Sequence, residues 1–347
     1  MDPGVDTTAG KVRRTRSSAD AADNVAGWSS DENGLWRLAW VMYGGVVATQ
    51  GRDWQIPAIT DDIVDRYKSN YSLAIPVTRQ MVREHAELEL DLTQKLLNSD
   101  TAERSKIWSD SYSTLYRELP WLASTSSSEH DSEDGYRYIL KLIPIGANVI
   151  EIGSGSGALA EYLTQNGRPC IATEVTSERG HRVDGVLVWH QTDGVNLDQF
   201  ESPASYDAIV SMQVVEHFHP DDLDRHFKSA HALLKPGGQY FVTTPHAFLG
   251  PADLSRVFSL DRPRFMHLKE YTYRELRAVA RNAGFQHVAA VSVPPRRVRR
   301  ICPFTFRSRL LLRYLSAMDA ILGHVRVPRL VLYGLLYTGD VSLIVRK

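Results

Sequence analysis

The pattern of apolar and polar positions changes character near residue 136. Before it, apolar residues recur at helical spacing. "IPVTRQMVREHAELELDLTQKLL" sets Val77, Met81, His85, Leu88, Leu92 and Leu96 on one face, with Pro76 suited to the helix start. "TAERSKIWSDSYSTLYREL" repeats the pattern with Ile107, Ser111, Leu115 and Leu119, and Thr101 stands as its cap. From Tyr136 onward, short apolar runs alternate with amphipathic stretches. "NVIEIG", "PCIATEV", "VLVWHQTD", "YDAIVSMQV", "QYFVTTP", "HVAAVSV" and the terminal "VSLIVRK" read as strands. "ALAEYLTQNG" and "TYRELRAVARNAGF" read as helices, as does "HPDDLDRHFKSAHALLKPGG", with Lys235 in its last turn and Pro236-Gly237 as its stop. This alternation predicts an α/β fold with a doubly wound, mostly parallel sheet, whose ligands sit at the carboxyl ends of the strands.

The same reading divides the chain. Residues 1–30, poor in large apolar side chains, form a disordered tail; 31–123 are a helical N-terminal region; "STSSSEHDSEDG" at 124–135 is a linker; 136–347 are the α/β domain, interrupted by 294–338. The N-terminal helices carry no catalytic signature and read as a helical cap or a homodimer surface. The alternative is that they close the top of a site.

The chain has 347 residues, 43% of them apolar, and a formal net charge of -1. That suffices for a real core and gives no reason to expect nucleic-acid binding. Cys170 and Cys302 supply neither a disulfide framework nor a thiolate metal cluster, so a cytoplasmic setting is expected, and Cys170 reads as a packing residue. No stretch reaches the ~18 apolar residues of a spanning helix, and no signal peptide opens the chain. The interruption at 294–338 holds nine arginines and one acid, Asp319, with Leu311, Leu315, Met318 and Leu322 as an apolar stripe. It is a basic amphipathic pattern, read as a lid packed on the core or as a peripheral membrane contact.

The candidate chemistry lies at the strand ends. "EIGSGSG" runs from a strand into a helix, and its Gly153, Gly155 and Gly157 suit an adenosyl ligand, while Gly153, Gly155 and Ala158 suit a dinucleotide. Glu151 before the turn can reach a ligand amino group. Glu174, about twenty residues after the turn, can accept both hydroxyls of a ribose. Asp193 in "TDG" can accept from an adenine amine, with Gly194 allowing close backbone approach.

Taken in order, "VIEIGSGSG", the acid at the second strand end, "TDG", "YDAIVSMQVVEH", "LKPGG", "TTP" and "HLKEYTYRELRAVARNAGF" resemble the class I S-adenosylmethionine-dependent methyltransferases, in the group that includes the ubiquinone-biosynthesis O-methyltransferases. The resemblance covers 136–293 and the last strand. It implies a Rossmann-like sheet of seven strands and a cofactor site of Glu151, Gly153, Ser154, Gly155, Gly157, Glu174, Asp193, Gly194 and the backbone at Gln213. It also implies a methyl acceptor near His217, which follows the fourth strand and is the candidate base, with Glu216 to orient it. Relatives with E-x-x-E-H hold magnesium. Here Gln213 replaces the first acid, leaving Glu216 and His217, with His267 or His246 as further ligands; His219 reads as a helix cap. The expected reaction is O-methylation of a small-molecule, saccharide or lipid acceptor. The rival expectation is a non-catalytic scaffold or adenosylmethionine sensor on the same fold.

Overall fold

A computed structural model describes residues 55–123, 136–178, 187–293, 305–325, 327, 329–336 and 339–347. The expected tail, the linker and the arginine run at 296–300 lie outside these residues. One unit spans Thr49–Lys347 and contains everything described here. None of its described helices is long and apolar enough to cross a membrane.

The sheet carries eight strands: β1 (Val149–Ile152), β2 (Cys170–Glu174), β3 (Val188–Gln191), β4 (Tyr206–Met212), β5 (Leu234–Pro245), β6 (His287–Ser292), β7 (Phe306–Ser308) and β8 (Asp340–Arg346). Their spatial order is β3-β2-β1-β4-β5-β8-β6-β7. β1 pairs in parallel with both β2 and β4, so the chain reverses its winding between β1 and β4 and opens a crevice at their carboxyl ends. β8 runs antiparallel between β5 and β6, beside the sixth strand as its late position suggests. The count exceeds the expected seven because Phe306–Ser308, inside the interruption, adds an edge strand to β6.

The described helices of eight residues or more are α1 (Asp61–Asn70), α2 (Arg79–Leu97), α3 (Thr101–Glu118), α4 (Ala158–Gln165), α5 (Leu223–Leu233), α6 (Tyr273–Asn282), α7 (Arg309–Leu322) and α8 (Arg329–Leu336). α6 opens on a reciprocal capping box between Thr272 and Glu275. α5 stops at Leu233; Lys235 is already extended and pairs with Asp207 at 2.8 Å, so "LKPGG" shapes the entry to β5 rather than a helix end. In α2 the buried face is Val82, His85, Ala86, Glu89, Leu90, Leu92, Thr93, Leu96 and Leu97; it includes His85, Leu92 and Leu96 of the expected stripe, is wider than that stripe and carries polar groups. The first position of α3 is Thr101, with Asp100 at the cap. Cys170 is buried within the core beneath α4, among Val149, Leu163 and Ala172.

Candidate active site

The turn after β1 is built from left-handed backbone. Gly153, Gly155 and Gly157 have φ of 67°, 57° and 83°. A Cβ on Gly157 would lie 2.6 Å from the Trp189 ring, so this glycine both caps α4 and lets β3 pack against it. No side chain caps the first turn of α4, leaving its N–H groups to face the crevice.

Glu174, at the end of β2, leans over the turn. Oε1 accepts from the backbone N–H of Gly155 at 2.6 Å and Oε2 from that of Val175 at 3.0 Å. Glu151 is buried beneath the turn. The Ser154 hydroxyl points inward, donating to the Glu151 carbonyl at 3.2 Å and accepting from the Thr173 N–H at 3.0 Å, so it ties β1 to β2. Asp193 also holds its own turn: Oδ1 accepts from the N–H groups of Val195 and Asn196, and Oδ2 from the Asn196 amide. What the "TDG" turn offers the crevice is chiefly backbone. Gly194 sits at φ 69°, its carbonyl held by a 2.6 Å bond from His226 on α5, a residue the sequence gave no reason to single out. Gln213, just after β4, also adopts positive φ, 57°, a strained conformation for a non-glycine residue and one that recurs at ligand sites.

Beyond Gln213 the chain forms a tight turn, Val215–His217, that presents Glu216 and His217 beside His267. One ligand atom from each lies within 4.8 Å of the others. Each group is held from behind. Glu216 Oε2 accepts from the Thr244 hydroxyl at 2.9 Å, His217 Nδ1 donates to the Met266 carbonyl at 3.0 Å, and His267 Nδ1 donates to Glu270 at 3.0 Å. Both imidazoles therefore turn Nε2 toward the centre, and Glu216 Oε1 is buried there with no hydrogen-bond partner among the described residues. Nothing in the sequence marks Thr244 or Met266 as supports; Glu270, three residues after His267, is the one a helical spacing could have suggested.

The electrostatics are uneven. Burial pushes the Glu216 carboxyl up to about 7, partly offset by the charge of His267. Burial, aided by the His267 charge, drives His217 down to about 3, so it is a neutral imidazole. For His267, burial acts downward but is outweighed by the Glu270 hydrogen bond and by the charges of Glu216, Asp253 and Glu270, which lift it to about 9.

His246 does not join the cluster. Its Nδ1 accepts from the Phe248 N–H and its Nε2 donates to Asp319 on α7. His219 accepts from the Asp221 N–H at 3.2 Å and caps the turn that opens α5.

α3 roofs the crevice. Ser109 donates to the Val175 carbonyl after β2, Trp108 packs on Phe218, and the Tyr112 ring meets His217 edge-on at 6.1 Å between centroids. A buried ion pair between Arg104 and Asp222 fastens the helix down. Among the N-terminal helices these contacts are made by α3.

A family profile described as a methyltransferase domain matches residues 127–290. The ubiquinone biosynthesis O-methyltransferase of Xylella fastidiosa strain 9a5c is 33% identical over 168 residues, covering 45% of this chain and 67% of that protein. Its counterpart from strain M23 is 30% identical over 183 residues, 51% of this chain and 74% of that protein. The chain belongs to the class I S-adenosylmethionine-dependent methyltransferases. A solved methyltransferase from Archaeoglobus fulgidus aligns over 67% of this chain and 100% of its own at 16% identity, with a TM-score of 0.46. In this methyltransferase the glycine turn sets left-handed backbone, the Glu174 carboxylate and the start of α4, which has no side-chain cap, side by side.

Proposed function

We propose that this methyltransferase acts on a hydroxyl oxygen of a small-molecule, saccharide or lipid acceptor held at Glu216, His217 and His267. The observation that carries the reading is the convergence of these three groups, each braced from behind, just past the β4 strand end and beneath α3. Bound S-adenosylmethionine supplies a methyl group already activated on a sulfonium, so the protein's task is positioning and removal of one proton. Glu174, at the end of β2 beside the glycine turn, would accept the ribose hydroxyls. The N–H groups opening α4, with Glu151 beneath the turn, would receive the amino-acid end. The backbone at Gly194 and Gln213 would flank the adenine.

Of the two residues expected to handle the acceptor proton, Glu216 is the better matched. A carboxylate titrating near 7 takes a proton effectively at neutral pH, whereas an imidazole near 3 is a weak base. His217, neutral and with Nδ1 donating to the Met266 carbonyl, can only accept at Nε2, so it would accept from a second donor on the acceptor molecule and not from the hydroxyl whose proton Glu216 removes.

A second reading rests on the orphaned Glu216 Oε1. Glu216 and the Nε2 atoms of His217 and His267 would hold one divalent ion, with Thr244, Met266 and Glu270 fixing the ligands from behind. Such an ion would lower the pKa of an acceptor hydroxyl bound to it. Two imidazoles and one carboxylate favour manganese, iron or zinc over magnesium, which prefers oxygen donors.

The test is an extract-wide reaction with methyl-labelled cofactor, followed by identification of the labelled product, beside calorimetry with S-adenosylhomocysteine. The proposal expects an O-methyl product and adenosylhomocysteine binding. A methyl group on nitrogen or carbon would refute the acceptor class, and no binding at millimolar ligand would refute the cofactor site.

A further inference from the structure

α7 is apolar on two opposite faces. Its inward face, Leu312, Leu315, Asp319 and Leu322, is buried against the domain. Of the stripe expected from the sequence, Leu315 and Leu322 are buried there, and Leu311 and Met318 lie on the flank, half-buried. The outward face carries Leu310, Tyr314, Ala317 and Ile321, spaced four, three and four residues apart and so aligned along the helix. Leu310 is 73% exposed, Tyr314 43% and Ile321 53%, and Val325 just beyond the helix is 54% exposed. Single exposed apolar residues are ordinary, but a continuous line of them along one helix is not.

The exposed charges of this segment have one sign. Arg307, Arg309 and Arg313 are exposed. The one carboxylate between 305 and 325, Asp319, points the other way and is consumed by His246 and the Arg274 N–H. We propose that the outward face of α7 docks on an anionic lipid bilayer, with Leu310, Tyr314 and Ile321 entering the interface and Arg309 and Arg313 meeting lipid phosphates. This is the arrangement of an interfacial helix, an apolar face flanked by cations. A second copy of the chain fits less well, since a two-fold contact would set the same arginines against each other. The proposal does not depend on the identity of the methyl acceptor.

The full chain is sedimented with vesicles of mixed phosphatidylglycerol and phosphatidylcholine, and with phosphatidylcholine alone. It is expected to pellet with the first and not the second, and less so as salt rises. Leu310→Ser/Ile321→Ser, whose side chains are more than half exposed, should weaken partitioning about tenfold or more while leaving adenosylhomocysteine binding and the thermal midpoint in place. Arg309→Gln/Arg313→Gln should lower binding severalfold on the anionic vesicles. If the serine variant misfolds, the arginine variant carries the test. A parent protein that stays in the supernatant, or variants that pellet like the parent, would overturn the proposal. So would analytical ultracentrifugation showing a dimer that Leu310→Ser/Ile321→Ser dissociates.

Discussion

Asp319, on the inserted helix α7, accepts a 3.0 Å hydrogen bond from His246 Nε2, and its other oxygen accepts from the N–H of Arg274 at 2.9 Å. One carboxylate thus joins the insertion to the end of β5 and to the first turn of α6. Both side chains are almost fully buried, at 2% and 0% exposure. Asp319→Ala strands the imidazole N–H and a helix-start N–H in the interior. It is expected to cost about 2–4 kcal/mol, read as an earlier urea midpoint.

Glu216→Gln separates stability from turnover. Glu216 titrates at about 7 in the fold against an ordinary 4.5, so the folded state is penalised increasingly as pH climbs between those values. Its stability contribution is full below 4.5 and lost as pH passes 7. The glutamine variant should therefore gain on the parent across that window, by about 1–3 kcal/mol at pH 8 and little at pH 4.5, in unfolding titrations. Its methyl-transfer rate should fall at least about a hundredfold, and the parent's kcat/KM should rise with pH through about 7.

Metal binding, if the second reading holds, must displace the proton that Glu270 helps keep on His267 up to about 9. Affinity for manganese or zinc is then expected to increase about tenfold per pH unit between about 7 and 9, with about one proton released, and more steeply below 7, where Glu216 must lose its proton as well. Calorimetry in buffers of different ionisation enthalpy measures both quantities. A chelator that leaves turnover unchanged would assign the chemistry to the side chains alone.

Tyr112→Ala opens the roof over His217, where the two rings lie 6.1 Å apart. The expected effect is on the acceptor: KM up about tenfold with adenosylhomocysteine affinity changed by less than about threefold. Steady-state kinetics and calorimetry on the same preparation distinguish the two.

Gly157→Ala forces a Cβ to 2.6 Å from the Trp189 ring at a φ of 83°. A cost of about 1–3 kcal/mol in thermal or urea unfolding is expected, with weaker cofactor binding because the start of α4 shifts. Gly146→Ala, at φ 80° with nothing near its Cβ, is the control for backbone strain without the clash.

Local pattern alone determined much of the molecule. Period-two and period-3.6 repeats gave the strands and helices of the α/β domain. The glycine turn and the acid ending β2 could be read because close backbone approach and a reach of about twenty residues each leave a mark in the chain. Glu216, His217 and His267 could be picked out by kind and order, though they come from two loops and only the fold sets their ligand atoms within 4.8 Å of one another.

What tertiary structure decided is which partner each group spends itself on. Asp193 and Ser154 look like ligand residues in sequence, yet their oxygens close turns; His246 looks like a metal ligand, yet Asp319, 73 residues away, takes its proton. α3 bears no catalytic signature because its role over His217 comes from where it lies, not from what it carries. The outer stripe of α7 was hidden for the opposite reason. A helix apolar on both sides has no single face in its sequence, and only packing shows which side is covered.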